Sequence, residues 1–247
     1  MSTLNPTTMV MNKMPPKVPK RRVYALIDGF NMYHALDCFD AATNDQDKTR
    51  FQKYKWLCFR TLMSRFVKED TEELVKVVFF TAFPYWNEAK RLRHQTYVSA
   101  LKARGVEYVK GEFKRSRIRC RATCKEEFDS PEEKQTDVNI ATAIIQFASE
   151  YDTLILVTAD SDQVPAVRLL KSLHPEKVVY ILPPIGRNSK ELVKEAGRNS
   201  RKIMSEQHLE ASILPNPVDV VRDGRVTAQI WKPDSWPLPE RFQAAPP

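Results

Sequence analysis

Short apolar runs recur along the chain, at 23–27, 74–80, 106–109, 154–157 and 178–182, interrupted only by Lys76 and Glu107. Runs of that length with no polar alternation predict strands buried on both faces, as in a parallel sheet. Between them apolar residues return at helical spacing. Tyr54, Leu57, Cys58, Leu62 and Phe66 predict a helix over 51–68, and a second fills 87–104, stopped by Gly105. A third is expected from Pro131, with Ser130 as N-cap and Glu133 at the capping-box position, carrying Ile140, Ile144 and Phe147 toward the sheet. Helices over 163–173 and 190–196 complete the alternation, the last ending at Gly197. Strand–helix alternation of this kind implies an α/β fold with a mostly parallel central sheet and helices on both faces.

Three stretches break the rhythm. Residues 1–20 hold Pro6, Pro15, Pro16 and Pro19 without apolar period, and read as a flexible basic tail. Residues 110–130 crowd Lys110, Lys114, Arg115, Arg117, Arg119, Arg121 and Lys125 together, and read as a protruding basic hairpin or loop. Residues 205–247 are rich in proline and read as a packed extension with a possible hairpin at Asp223-Gly224, then a disordered end. The main domain is thus expected over 21–204, with the basic segment as an insertion.

Composition narrows the classes. The 247 residues, 42% hydrophobic and 28% charged, describe a soluble globular protein. No apolar segment approaches the roughly 20 residues of a membrane span. The N-terminal segment lacks an apolar signal core, and four cysteines are too few for a disulfide scaffold, so a reduced cytoplasmic protein is expected. A formal net charge of +8 favours a polyanionic partner, most plausibly nucleic acid.

The candidate chemistry sits where strands end. Leu154-Ile155-Leu156-Val157 runs into Thr158-Ala159-Asp160-Ser161-Asp162, and Val23-Tyr24-Ala25-Leu26-Ile27 into Asp28-Gly29-Phe30-Asn31. In open α/β sheets ligands bind at that edge. One such turn reads equally well as a helix cap by Ser161 or Asp162; two in one sheet begin to look like a site. Asp137, on the helix expected from Pro131, shares a face with Glu133 and Ala141. Asp28, Asp137, Asp160 and Asp162, with Asn31, then form a set of hard oxygen ligands of the type that Mg2+ or Mn2+ takes. Clustered carboxylates raise one another's pKa unless a cation neutralises them, which makes a divalent ion the economical explanation.

Leu26-Ile27-Asp28-Gly29-Phe30-Asn31, the stretch from Glu132 to Ala141 and Thr158-Ala159-Asp160-Ser161-Asp162 occur in that order, followed by Pro183-Pro184 and Asn188-Ser189-Lys190-Glu191-Leu192. In this the chain resembles the NYN domain proteins, metal-dependent ribonucleases of the PIN-like superfamily, over roughly residues 22–203. The late Lys232-Pro233-Asp234-Ser235-Trp236 looks like the tail of one bacterial branch. The resemblance implies a PIN-like three-layer α/β/α fold, an endoribonuclease activity, metal binding by Asp28, Asp137, Asp160 and Asp162, and site-shaping roles for Asn31 and Ser189. The departures are Ala159, where that family often has Gly, and Gln163, where it has an apolar residue.

Several features remain open. The row Arg115, Arg117, Arg119, Arg121 would share one face of an extended strand and suit a phosphate backbone, or be a solvated loop. Lys90, Arg91, Arg93 and Lys190 are the other candidates for substrate contact, on RNA or on DNA. His34 could touch a scissile phosphate or fill space, and His94 is expected at the surface. Cys120 and Cys124 have a loose zinc-ligand spacing without a second pair nearby; a reduced surface pair or an intersubunit site are the other readings. A haloacid-dehalogenase phosphatase is disfavoured because Phe30 stands where its second acid belongs, and no Gly-rich phosphate loop or Ser-His-Asp order appears. The competing function is a nucleic-acid-binding regulator with a weakly active pocket. Monomer and homodimer are both compatible with the sequence.

Overall fold

The computed structural model describes residues 19–37, 50–119 and 127–236. The described chain begins with β1 (Arg21–Asp28), α1 (Gly29–Asp37), α2 (Phe59–Ser64), β2 (Glu72–Thr81), α3 (Glu88–Ala103) and β3 (Glu107–Lys110). It continues through β4 (Glu112–Arg119), β5 (Glu127–Lys134), α4 (Thr136–Gln146), β6 (Thr153–Val157), α5 (Val164–Leu173), β7 (Val178–Ile181) and α6 (Lys190–Ala196). The last elements are α7 (Glu206–Glu210), β8 (Val218–Arg222) and β9 (Arg225–Ile230).

Five strands pair in the order β3-β2-β1-β6-β7, every neighbour parallel. Each aliphatic run predicted from the sequence supplies one of them. Alternate residues of a strand point to opposite faces, and the sheet divides its apolar side chains accordingly. Val23, Ala25 and Ile27 of β1 join one buried cluster with Met32 of α1, Leu62 of α2 and Leu101 of α3. Tyr24 and Leu26 join a second with Ile140 of α4, Val167 of α5 and Leu192 of α6. The result is the three-layer α/β/α arrangement. Strand order reverses at β1, whose two neighbours are β2 and β6. Ligand crevices of parallel sheets open at such a switch point, beyond the carboxyl ends of the strands.

Two helices differ from the sequence expectation. Over 51–68 the chain forms only a short 3-10 turn (Gln52–Tyr54) and then α2. Trp56 and Leu57, both fully buried, are claimed by the C-terminal segment. Leu57 bridges Ile213, the Leu214 N–H donates to the Trp56 carbonyl at 2.9 Å, and the Cys58 N–H donates to Ser212 at 2.7 Å. These pairings satisfy backbone groups that a continuous helix would have used, so tertiary contact overrides local period.

The helix expected from Pro131 begins five residues later, at Thr136. Residues 127–134 are instead β5, antiparallel to β4 over eight consecutive pairs. Pro131 is tolerated because the ribbon has only two strands and each exposes an edge. Ser130 therefore lies mid-strand opposite Ser116, not at a helix cap. The basic insertion is a hairpin, and it ends directly in α4. The second expected hairpin, β8–β9, turns through Asp223 and Gly224, both at positive φ, the geometry of a tight hairpin turn.

Gly29 is required by crowding. A Cβ there would lie 2.4 Å from the Phe80 carbonyl oxygen and 2.7 Å from the Phe79 ring. Backbone on β2 cannot retreat without breaking the ladder to β1. Gly29→Ala is expected to destabilise the fold by roughly 1–3 kcal/mol, some 2–12 °C in melting temperature. A thermal melt within a degree of the parent protein would show that the turn has room after all.

Candidate active site at the switch point

The register that sets Ile27 beside Val157 brings Asp28 level with Thr158. Asp28 is only 3% exposed, so its carboxylate needs internal partners. It has them: the Asn31 N–H donates to one oxygen at 2.9 Å and the Thr158 hydroxyl to the other at 2.8 Å. The same Thr158 oxygen accepts the Asp160 N–H at 3.1 Å, and the Asn31 side-chain oxygen accepts the Ala159 N–H at 3.1 Å. Asn31 thus stitches the two strand-end turns together.

Asp160, rather than Ser161 or Asp162, caps the turn that follows β6, accepting the Asp162 N–H at 2.9 Å. Asp137 enters from the first turn of α4. Its position is fixed from two sides. Glu133, at the end of β5, accepts the Thr136 N–H at 3.0 Å, and the buried Gln163 amide donates to the Asp137 carbonyl at 3.1 Å. Gln163 thereby links the Asp160 turn to the helix that carries Asp137.

These elements border an open cleft of about 420 Å³ lined by Asp28, Phe30, Asn31, His34, Glu133, Asp137, Ala159, Asp160, Arg187 and Asn188. Three of the four predicted acids line it. Asp162 is exposed beside it, close enough to act electrostatically on Asp137. Burial and the charges of Asp28, Asp160, Glu133 and Asp162 push the Asp137 carboxyl up to about 6. Burial likewise raises Asp28, against the lowering effect of its hydrogen bonds.

The remaining candidates fall elsewhere. Ser189 is buried and caps α6, accepting the Leu192 N–H at 3.4 Å, and it does not line the cleft. Lys190 is exposed on the first turn of that helix. Lys90, Arg91 and Arg93 lie on α3 outside the lining, with Arg91 paired to Glu88 at 3.1 Å. Arg115, Arg117 and Arg119 alternate along β4 as expected. The register, however, sets Arg117 opposite Asp129 and Arg119 opposite Glu127, while Arg115 faces Pro131. Arg121, Cys120 and Cys124 lie outside the described residues. His34 lines the cleft. His94 is not a surface group: it bonds Thr81 at 2.9 Å, packs against Phe79 and Phe83, and is lowered by burial to about 4.

Glu133, Arg187 and Asn188 were not foreseen as site residues. Arg187 and Asn188 follow β7, at the same sheet edge as the acids, and that position was the available signal. The sequence sets Glu133 on the face of Asp137, and that proximity was its signal, although it comes from the end of β5 and not from the helix.

A family model for the NYN domain matches residues 22–200. The chain belongs to the NYN domain family. Membership implies a nuclease-type domain. A comparison with curated proteins returned no match. Among solved structures, the crystal structure of a Vibrio parahaemolyticus protein of unknown function is similar, at a TM-score of 0.51 and 19% identity, covering 81% of this chain and 99% of that one. That likeness concerns the fold alone.

The NYN cleft offers the donors a divalent cation takes, but not a closed cage. Among the described residues no group of three His, Cys, Asp or Glu side chains converges closely enough to hold a metal ion. Mg2+ commonly keeps several waters and takes only one or two carboxylates directly, so acids standing apart around an open cleft suit a hydrated ion.

The raised Asp137 has a consequence for stability in the absence of metal. Its folded-state pKa exceeds the ordinary 3.8, so the folded protein holds the proton more tightly than the unfolded chain. The stability that this proton confers is fully present below about pH 4 and is lost as pH rises through about 6. Asp137→Asn removes that loss. In EDTA at pH 7 the variant should be more stable than the parent by on the order of 1 kcal/mol, once solvent screening of this half-exposed group is allowed for. The difference should vanish toward pH 4. A destabilised variant at pH 7 would show that the Asp137 carboxylate is a structural anchor.

Proposed function

We propose that this NYN domain protein is a metal-dependent endoribonuclease whose cleft hydrolyses RNA phosphodiester bonds with Mg2+ or Mn2+. The observation that carries the reading is the convergence of Asp28, Asp137, Asp160 and Glu133 on one open cleft, with Asp137 pushed up to about 6. A fold does not hold four like charges together for stability's sake, since each raises the cost of ionising the others. Asp28 and Asp160 are the direct ligands in this reading, with Asp137 and Asp162 acting through water. The chemistry such an ion supplies is polarisation of a phosphate oxygen and a more acidic water.

The chain's own residues divide the rest of the work. Asp137 has the raised proton affinity that suits a group orienting the attacking water and taking its proton. Asn31 and Thr158 hold Asp28 and the Asp160 turn at fixed separation. Arg187, the one lysine or arginine among the described lining residues, is placed to hold a phosphate oxygen. His34 belongs to the same lining and is the second candidate for that contact.

The test uses a mixed pool of labelled RNAs and DNAs with Mn2+, Mg2+ or EDTA. Cleavage of RNA is expected with metal and not with EDTA. Asp160→Asn keeps the shape of the side chain while removing its charge, and should lower the rate roughly a hundredfold or more. Binding without cleavage under every metal condition would turn the reading to a nucleic-acid-binding regulator. Preferential cleavage of DNA would keep the chemistry and overturn the substrate.

The hairpin arginines allow a separate check. Replacing Arg115, Arg117 and Arg119 with Gln should weaken RNA binding across sequences and flatten the slope of log affinity against log salt. Each lost single-strand phosphate contact contributes about 0.7 to that slope. With Arg117 and Arg119 opposite acidic residues, a change nearer to one contact than to three is expected. An unchanged slope and affinity would remove the hairpin from the phosphate path.

A further inference from the structure

Outside the acid cleft lies a feature that the hydrolytic reading does not use. Tyr85 and Trp86, on the loop after β2, are 43% and 45% exposed although both are large aromatic residues. They are the outer end of a continuous string of rings. Tyr85 meets Trp86 at 5.3 Å between centroids, Trp86 meets Phe113 of β4 at 4.6 Å, and Phe113 meets Phe30 at 5.5 Å. Phe30 itself lines the cleft beside Asp28 and Asn31. The Arg115 guanidinium stands 5.9 Å over the Tyr85 ring.

Neither core cluster claims these four rings. Phe30 and Phe113 are half-buried where the hairpin meets α1, and the string becomes more exposed away from the cleft. The hairpin presents Phe113, Arg115 and Arg117 from one face, because they alternate along β4. Rings and guanidiniums are therefore interleaved along one path that starts at the acids. Exposed aromatics interleaved with cations, leading to a carboxylate cleft, match a single-stranded nucleic acid, whose bases stack on the rings while its phosphates meet the arginines. A duplex hides its base faces and would gain nothing from such rings.

We propose that Tyr85, Trp86 and Phe113, with Arg115, form a stacking platform for unpaired bases next to the scissile phosphate, and that the platform restricts this protein to single-stranded RNA. The proposal deepens the endoribonuclease reading and rests on it for the identity of the strand. The platform selects against duplex RNA by offering ring faces that only unstacked bases can cover. It also sets the path, from the rings over Phe30 into the cleft.

Binding measured in EDTA separates the platform from catalysis. The probes are a fluorescein-labelled, unstructured RNA oligonucleotide and the same sequence annealed to its complement. Tyr85→Ala with Trp86→Ala should weaken binding of the single strand by roughly 5- to 150-fold for each stacked base lost. Duplex binding should change less than about twofold, because it rests on charge. Trp86→Phe keeps a ring and should retain most of the affinity. Both residues are exposed, so an unchanged melting temperature certifies the variants as folded. Equal affinity of parent and double variant for the single strand overturns the platform, as does a parallel loss on the duplex or a parent that does not bind the single strand. A parallel cleavage assay with Mn2+ and Asp160→Asn keeps the two readings apart. Metal-dependent cleavage that persists while the double variant binds normally removes the platform and leaves the nuclease. Ring-dependent binding without cleavage in any metal removes the nuclease and leaves the platform.

Discussion

The hydroxyl of Thr158 donates to Asp28 and at the same time accepts from the Asp160 backbone, and the geometry of the cleft depends on that pair of bonds. Asp28 is buried at the end of the central strand, where an unsatisfied carboxylate would cost several kcal/mol. The cost is met by groups from two turns, its own and the one after β6. Parallel pairing fixes the level at which these turns meet. Asn31 then completes a closed loop of bonds across the switch point by reaching the Ala159 N–H. Strand register, the crowding that demands Gly29 and the position of the acids are consequently one constraint: a shift of β1 against β6 by one residue would bury Ile27's neighbour against the wrong partner and open the loop.

The acids oppose that order. Burial and mutual repulsion raise Asp137 and Asp28 together, so the cleft is a destabilised element held within a stable sheet. The rest of the chain carries the opposite charge: a net +8 remains after every acid is counted. Charge separation of this kind leaves an acidic cleft within a surface that is basic as a whole, the field a polyanion would meet under the proposed function. His94 stands outside the lining of this cleft. Packed between Phe79 and Phe83 and lowered to about 4, it is neutral at physiological pH and serves as a wall behind the β2 end.

Most strands were legible because a buried apolar run has no other environment to occupy, whereas β3, a largely exposed edge strand, followed from its place in the β-α-β spacing. The strand-end acids were legible for the same reason, since Asp28 and Asp160 directly follow such runs. The errors arise where a distant segment supplied hydrogen bonds. Leu57 and Cys58 fit a helical period, yet residues 212–214 pair with the backbone of this stretch. Residues 130–133 fit a capping box, yet β4 pairs with them. Glu133 still meets the start of α4 in space, accepting the Thr136 N–H from outside the helix where a capping box would have placed it inside. Composition marked the insertion as basic. It could not show that its returning strand sets acids opposite Arg117 and Arg119, because register is a property of the pair and not of either strand.

That register gives the hairpin a second role. Its second level from the base sets Phe113 against Glu133, so one pair of opposing residues touches both the ring string and the acid cleft. Any ligand pressing on the rings bears on β4, and β5 runs without interruption into Gln135, held at positive φ, and then into the turn that carries Asp137. Two tethers hold Asp137 there, one from Glu133 on the hairpin side and one from Gln163 on the Asp160 side. The departure of Gln163 from an apolar residue thus has a physical reading. Where a hydrophobic side chain would fill the same space, the amide also fixes the helix turn to the sheet. The hairpin is therefore not an appendage to the sheet: through Glu133 it contributes to the lining of the cleft, and its returning strand leads directly into the turn that carries Asp137.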